Sequence, residues 1–323
     1  MKILITGSSG YLGRNMVRAA IERGHEVAGL DITDSGISDA AFKEYKGDVT
    51  DLNTVKQATA GCRAVFHLAA ALAQFERDEK RMHDVNVRGT ENALEAALEN
   101  ENGVKKFIYT SSVEVYGIAV PVPCTEAAPI APVCQYGRDK VESENLCRDY
   151  LARGLDITVF RPPTINGPGQ NEPFLVSQME GISLGKATLL PGGGSTRLQM
   201  VDVDDVSNAF FLALENPRSK GAIMNLGSDN VPTLKAMAEA LYKHAGKPPK
   251  FIIINAAVAR AIVAVLAALH VSPIEPQHLE IALRDYVFDN SRAKDVLGWK
   301  PAKDDIQSSV AAYDYQMKKK SNS

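Results

Sequence analysis

A chain of 323 residues, 45% hydrophobic and 23% charged, has enough apolar material for a large core, so a globular protein of about two domains is expected, neither disordered nor fibrous. The formal net charge of −3, from 36 Lys and Arg against 39 Asp and Glu, leaves no basic footprint and makes nucleic acid an unexpected partner. Cys62, Cys124, Cys134 and Cys147 show no metal-ligand spacing and nothing ahead of the first apolar run reads as a signal peptide, so the expectation is a reducing cytoplasm and no bound metal.

The chain opens "MKILITGSSGYLGRNMVRAAIERGHEVAGLD". Residues 2–6 are an apolar run fit for a fully buried parallel strand, residues 11–23 have helical spacing, and Gly24 is a stop. Gly7, Gly10 and Gly13 fall at the strand-to-helix turn, with Tyr11 and Leu12 among them. Glycine there lets the backbone bend sharply and come close to a ligand, while the helix start offers free N–H groups and a positive dipole end to a pyrophosphate. A glycine triplet that follows a strand and begins a helix marks a dinucleotide site.

The second strand, "HEVAGL", ends at Asp31, eighteen residues after Gly13. A carboxylate there accepts hydrogen bonds from both ribose hydroxyls of an adenosine and repels a 2′-phosphate, so NAD is favoured over NADP, with Arg14 as a cation that could pair with such a phosphate. "YKGDVTD" ends a third strand and offers Asp48 and Val49 to the adenine region. "AVFHLAAAL" is a fourth, closing on Leu68, Ala69 and Ala70, where bulk would block a cofactor; His67 within it reads as a core histidine. "KFIYTSS" is a fifth strand and "DITVFRP" a sixth. Such alternation builds an α/β fold, a doubly wound parallel sheet with helices on both faces and its ligand at the carboxyl ends of the strands.

In "CQYGRDKVESE", residues 134–144, Tyr136 and Lys140 are four apart and share one face of a polar helix. By itself the pair is no more than an exposed contact worth a few tenths of a kcal/mol. The division is expected near residue 165, with 1–165 binding the dinucleotide and 166–323 forming mostly a smaller α/β substrate domain, some of it returning to the sheet. "NGPGQNEPF" and "LLPGGGST" punctuate the second part, and helical patterns at 203–215, 232–245 and 255–269 are expected to cap the cleft. The apolar segment 251–271 is about as long as a membrane span but contains Asn255 and Arg260; it reads as a strand followed by a buried helix, with no membrane partner. The lysine run 318–320 reads as a frayed tail.

Taken together, "TGSSGYLG", "GDVTD", "HLAA", "NVRGT", "YTSSVEVYG", "YGRDK", "RPPTINGPG", "VDVDDV" and "LGWKP", in this order from residue 3 to about 301, resemble the extended short-chain dehydrogenase/reductase superfamily, the NAD-dependent epimerase/dehydratase group. The resemblance implies a Rossmann fold, a nucleotide-sugar substrate and, from helices at 79–101 and 135–152, a homodimer built as a four-helix bundle. It also assigns roles. Tyr136 is implied as the acid–base, Lys140 as its helper and holder of the nicotinamide ribose, and Ser112 as donor to the substrate oxygen. For a tyrosine of pKa about 10 to act as a base near pH 7, the phenolate must gain about 4 kcal/mol, which the ammonium and the oxidised cofactor's positive ring are expected to supply. Asn86 in "NVRGT", Thr110 and the stretch from Pro162 through Pro163 to Thr164 match positions near the cofactor, Asn86 being equally readable as a polar helix-surface residue. Arg197 matches an arginine that contacts a nucleotide-sugar phosphate, with a solvated arginine as the plain reading.

Val113, beside Glu114, stands where hexose dehydratases of the group carry an aspartate, so loss of that acid argues against a dehydratase. Thr164, Asn166 and Asp202 also depart from the sugar-nucleotide pattern. The expected activity is a UDP-hexose 4-epimerase, with Val113, Glu114, Thr164 and Arg197 near the sugar nucleotide. The alternatives are a 3β-hydroxysteroid or dihydroflavonol type dehydrogenase or reductase and a cofactor-binding regulator, the last disfavoured by the intact Ser112, Tyr136 and Lys140.

Overall fold

The computed structural model describes residues 1–72, 75–100, 103–268 and 276–321. Strand β1 (Lys2–Thr6) turns Ile3 and Ile5 to one face and Leu4 to the other, the two-residue alternation of an extended chain. Both faces are apolar because both are covered. Ile3 and Ile5 pack with Met16, Val17 and Ala20 of α1 (Tyr11–Glu22), while Leu4 joins Val55 and Ala58 of α2 (Leu52–Thr59) in the opposite cluster. Around β1 lie β2 (Glu26–Asp31) and then β3 (Phe42–Lys46) on one side; on the other are β4 (Ala64–His67), β5 (Lys106–Thr110) and β6 (Ile157–Arg161). All pairings are parallel. The doubly wound parallel sheet expected from the sequence is present, and the order reverses between β1 and β4, where the carboxyl ends open a crevice.

The helix expected over 79–101 runs from α3 (Glu79–His83) through one wide π-turn, Asp84–Arg88, into α4 (Gly89–Leu98); residues 101–102 lie outside the described residues. It packs beside α5 (Gln135–Ala152), which matches the expected 135–152. After β6 come β7 (Thr164–Asn166), α6 (Pro173–Ser183), β8 (Thr188–Pro191), β9 (Met200–Asp202), α7 (Val203–Glu215), β10 (Ile223–Asn225), α8 (Leu234–His244), β11 (Phe251–Ile254), α9 (Ala256–Ala268), α10 (Pro276–Ala282), α11 (Ser291–Leu297) and α12 (Asp305–Ser321). Strand β10 returns to the sheet as a seventh strand beside β6, and β7–β9 and β8–β11 form two further parallel pairs.

Four expectations need correcting. Strand β4 ends at His67: Leu68 divides its N–H between the Thr6 carbonyl at 3.3 Å and the Thr6 hydroxyl at 3.2 Å, and Ala69 donates to that hydroxyl at 3.2 Å. Helix α7 does not cap a cleft: Val206, Phe210 and Phe211 bury against Phe66 and Phe160 of the sheet. Helix α9 is not buried. It seats Ala259 and Val263 on Ile254, Leu279 and Leu283 and leaves Val258, Ile262 and Val265 to solvent; the last residues of the apolar segment, 269–271, lie outside the described residues. Lys318 to Lys320 form the final turn of α12, with Lys320 Nζ 3.5 Å from Glu180, where cations suit the helix dipole.

Candidate active site

The crevice begins at the glycine turn. Gly7 has φ +70°, and a Cβ there would lie 2.9 Å from the Ala69 backbone; a Cβ on Gly13 would fall 1.9 Å from the Gly7 carbonyl. Both positions therefore exclude side chains, and the turn is pressed against the segment after β4. Helix α1 starts at Gly10 with no side-chain cap, leaving its first N–H groups, those of Tyr11, Leu12 and Gly13, to an outside acceptor. Asp31, at the end of β2, closes over this turn: Oδ2 accepts from Ser9 N at 3.0 Å and Oδ1 from Thr33 N at 3.0 Å.

The other rim is held by polar residues inside the protein. His67 Nδ1 lies 2.7 Å from Thr6 Oγ1 and Nε2 lies 3.0 Å from Thr90 Oγ1. Thr90 donates to the Asn86 carbonyl and Thr6 accepts from Leu68 and Ala69, so the network assigns His67 the neutral Nε2–H tautomer. Burial, aided by Lys140, pulls its pKa down to about 3. His67 is thus the core histidine the sequence suggested. Asn86 is buried, contrary to a helix-surface reading; its amide both accepts from and donates to the Ala71 backbone, at 2.8 and 3.1 Å, and donates to Asp139 at 3.2 Å. It sits in the π-turn, where the widened backbone carries it against the 68–71 segment. Asp48 is committed locally: although burial opposes it, bonds from Thr50 and the Arg81 guanidinium hold its carboxyl below the usual range, and Val49 packs on Gly89.

At the end of β5, Ser112 caps the short turn Val113–Tyr116, its Oγ accepting from Glu114 N at 3.2 Å. Helix α5 starts against that turn. Cys134 Sγ is its N-cap, accepting from Gly137 N and donating to Glu114 Oε2 at 3.1 Å, and Gly137 comes so close to the Glu114 carbonyl that a Cβ would stand 2.8 Å from it. Tyr136 therefore lies beside Ser112. One turn on, Lys140 is buried, donates to the Thr110 carbonyl at 2.7 Å and holds Nζ 5.4 Å from the centre of the Tyr136 ring. The spacing of four delivers the two groups to one face, as read from the sequence.

Burial raises the Tyr136 pKa well above that of a free phenol; Glu114 and Cys134 add to this, and the Ser112 hydroxyl pulls it back. Burial also pulls Lys140 down to about 8, its carboxylate neighbours resisting, so the ammonium survives at neutral pH.

Of the remaining candidates, Val113 is packed in an apolar cluster with Val115, Tyr116, Tyr286 and Phe288, and Pro163 is buried after β6 while Thr164 is exposed. Arg197 is neither free nor simply solvated: its Nε and Nη2 donate to Asp285 at 3.0 and 2.5 Å. Sequence reasoning passed over Gly137, Asp139, Glu144 and Arg161. Gly137 and Asp139 were visible inside "YGRDK"; Glu144 and Arg161 act through each other across two elements and left no local signal.

The sequence profile of the NAD dependent epimerase/dehydratase family matches residues 3–227. The chain is 30% identical over 322 residues to a UDP-glucose 4-epimerase of Mycolicibacterium smegmatis, covering 93% of this chain and 94% of that one. A Thermotoga maritima UDP-glucose 4-epimerase solved with UDP-glucose superposes with a TM-score of 0.82 at 26% identity, covering 99% of each chain. A Bacillus cereus UDP-glucuronic acid 4-epimerase in complex with NAD shares the fold, with a TM-score of 0.81 at 22% identity over 98% of this chain and 99% of that one.

The residues present fit NAD. The glycine turn is so tight that a Cβ at Gly7 or Gly13 would strike backbone, α1 has an uncapped start, and two buried hydroxyls, Ser8 Oγ in that turn and Thr110 Oγ1 at the end of β5, have no partner among the described residues.

Proposed function

Because the chain belongs to the NAD-dependent epimerase/dehydratase family of extended short-chain dehydrogenases/reductases, we propose that it is a UDP-hexose 4-epimerase working through Ser112, Tyr136 and Lys140. The observation that carries this reading is the meeting of those three residues at the carboxyl end of β5, beside an uncapped helix start and a glycine cradle that suit a dinucleotide. The likeness to UDP-glucose 4-epimerases over nearly the whole chain supports the sugar nucleotide as substrate class.

In this reading the Gly7–Gly13 turn and the start of α1 hold the pyrophosphate of NAD, Asp31 the adenosine ribose, and Lys140 and Thr110 the nicotinamide end. Asp31 turns away a 2′-phosphate by charge, which makes NADP the poorer ligand. NAD held there would supply the hydride acceptor and donor that inversion at a sugar carbon requires. Ser112 hydrogen-bonds the substrate oxygen and fixes it against Tyr136, whose phenolic oxygen takes the hydroxyl proton and later gives it back. The Lys140 ammonium, 5.4 Å from the Tyr136 ring, would favour the phenolate that this exchange needs, with the remaining positive charge to come from the bound cofactor. Glu114 reaches the same turn, and Thr164 and Arg197 lie on the side of the second domain, residues 166–323, where the sugar nucleotide is expected. Arg197 must share Asp285 with any phosphate it contacts.

Purified protein incubated with UDP-galactose should yield UDP-glucose by NMR, with no net rise in absorbance of reduced cofactor. Net accumulation of reduced cofactor without sugar interconversion, on a steroid or flavonoid alcohol, would instead establish the hydrophobic-alcohol dehydrogenase. The apolar residues of α9 that might have spoken for that second reading face solvent and leave it without a structural observation in its favour. We further propose a homodimer formed through α3, α4 and α5 in the cytoplasm, testable by light scattering of the purified chain.

A further inference from the structure

Most large apolar side chains of this protein are inside, and of those that are exposed six gather on one strand pair and the helix after it. Leu189 of β8, Ile252 and Ile253 of β11, and Val258, Ile262 and Val265 of α9 are each 45% to 66% exposed. The two strands are hydrogen-bonded neighbours, with Leu189 paired to Ile252, and α9 follows β11 after a single residue. On α9 the exposed residues sit at i, i+4 and i+7, one stripe of the helix, while Ala259 and Val263 on the opposite side seat it on Ile254, Leu279 and Leu283. The single charge of this helix, Arg260, is paired with Glu280 at 2.6 Å. An exposed apolar stripe of this kind on an otherwise well-packed protein marks a surface that something covers.

Charge says what covers it. Segments 181–201 and 240–268, which meet at the β8–β11 pair, contain six Lys and Arg and no Asp or Glu, in a chain whose net charge is −3. Arg197 and Arg260 have carboxylate partners. Lys186, Lys243, Lys247 and Lys250 are exposed and have no carboxylate partner among the described residues; Lys247 reaches the Gly185 turn, and Lys250 donates to the Gly185 carbonyl at 3.1 Å. Lysines flanking an apolar stripe, with Glu280 beside α9 already paired to Arg260, match the headgroup and acyl layers of an anionic bilayer. The contact is with the surface only, since no described helix is long and apolar enough to cross a membrane.

We infer that the β8, β11 and α9 face docks on an anionic lipid surface, burying Ile253, Val258, Ile262 and Val265 among the acyl chains with Lys186, Lys247 and Lys250 at the phosphates. This goes beyond the sequence expectation of no membrane partner and holds whichever sugar nucleotide the active site takes.

The test is sedimentation of the full-length protein with vesicles of equal parts phosphatidylglycerol and phosphatidylcholine, and with phosphatidylcholine alone. The protein should pellet with the anionic vesicles at least about tenfold more than with the neutral ones, and high salt should release most of it. V258S/I262S/V265S, at exposed positions, should abolish pelleting, and K186E/K247E should lower it about tenfold or more, both keeping the parent's circular dichroism and sugar-nucleotide activity. Equal pelleting with neutral vesicles, no pelleting, or a parent dimer that the triple serine variant dissociates in light scattering would overturn the proposal, the last by assigning the face to a second copy of the chain.

Discussion

Arg161 and Glu144 form a buried two-pronged pair, Nε to Oε1 at 2.8 Å and Nη2 to Oε2 at 2.5 Å, that bolts the end of β6 to the middle of α5. Glu144 Oε1 also accepts from Ser111 at 2.5 Å, next to Ser112, and Arg161 Nη1 donates to the Tyr116 hydroxyl at 2.8 Å, which in turn donates to Asn225 of β10 at 2.7 Å. Burial opposes the guanidinium charge, but Glu144 outweighs it and raises the Arg161 pKa. The pair is thus a strut under α5, the helix that carries Tyr136 and Lys140. Glu144→Ala leaves a buried cation alone and should cost about 3–5 kcal/mol of unfolding free energy in urea, while the double change Arg161→Met with Glu144→Leu should recover most of that loss. A loss for the single variant below about 1 kcal/mol would show that water or a rearranged neighbour takes over.

Tyr136→Phe removes the proposed proton acceptor and preserves the ring that packs near Lys140. Epimerisation should fall by about two to four orders of magnitude while NAD affinity, measured by calorimetry, stays close to that of the parent. Activity equal to the parent's would dismiss the phenol from the reaction.

Asp31, proposed to face the adenosine ribose, holds the glycine turn and the loop after β2 through Ser9 N and Thr33 N. Asp31→Asn keeps an acceptor for one of those amides and removes the repulsion, so NADP should gain on NAD by about tenfold in binding, and Asp31→Gly should shift the preference the same way with a greater loss of loop order. An unchanged ratio of the two dissociation constants would mean that this side chain does not face the ribose.

His83 Nδ1 lies 3.0 Å from the buried Asp139 carboxylate, which raises its pKa above the usual imidazole value against a smaller opposing effect of burial. The folded pKa exceeds the unfolded one, so the stabilisation is fully present below about 6.5 and drains away as pH rises through the folded value. Because the His83 side chain is 41% exposed, solvent screening holds the effect to about 1 kcal/mol or less. The difference in melting temperature between the parent and His83→Ala should therefore shrink as pH rises from mildly acidic to mildly alkaline. A difference independent of pH would assign His83 a packing role only.

Gly137 lets α5 begin against the Ser112 turn, and a methyl group there would stand 2.8 Å from the Glu114 carbonyl. Alanine suits a helix interior better than glycine by about 1 kcal/mol, so propensity alone forecasts a more stable protein. The backbone contact should win. Gly137→Ala is expected to lose stability and, by pushing Tyr136 away from Ser112, to lower kcat more than it raises KM, as read from steady-state kinetics with UDP-galactose.

The first strand, the glycine turn, the helix after it and the Tyr136–Lys140 pair were legible in the sequence because each depends on residues a few positions apart. A strand alternates every two residues, a helix returns every 3.6, and a glycine turn announces itself between them. The exposed helix α9 was misread because an apolar run looks the same whether it is covered by protein or left at the surface. Strand β10 escaped because three residues carry too little pattern and its place is set by β6, more than sixty positions earlier.

Local spacing alone determined that this chain makes a dinucleotide crevice and that a phenol and an ammonium share one face of the helix beside it. Tertiary structure alone decided what surrounds them. Asp139 was joined to Asn86, Glu144 to Arg161 and Arg197 to Asp285 only when distant segments came into contact. The direction of the Tyr136 shift followed the same rule, because desolvation and the nearness of Glu114 are properties of packed volume, which no spacing along the chain encodes.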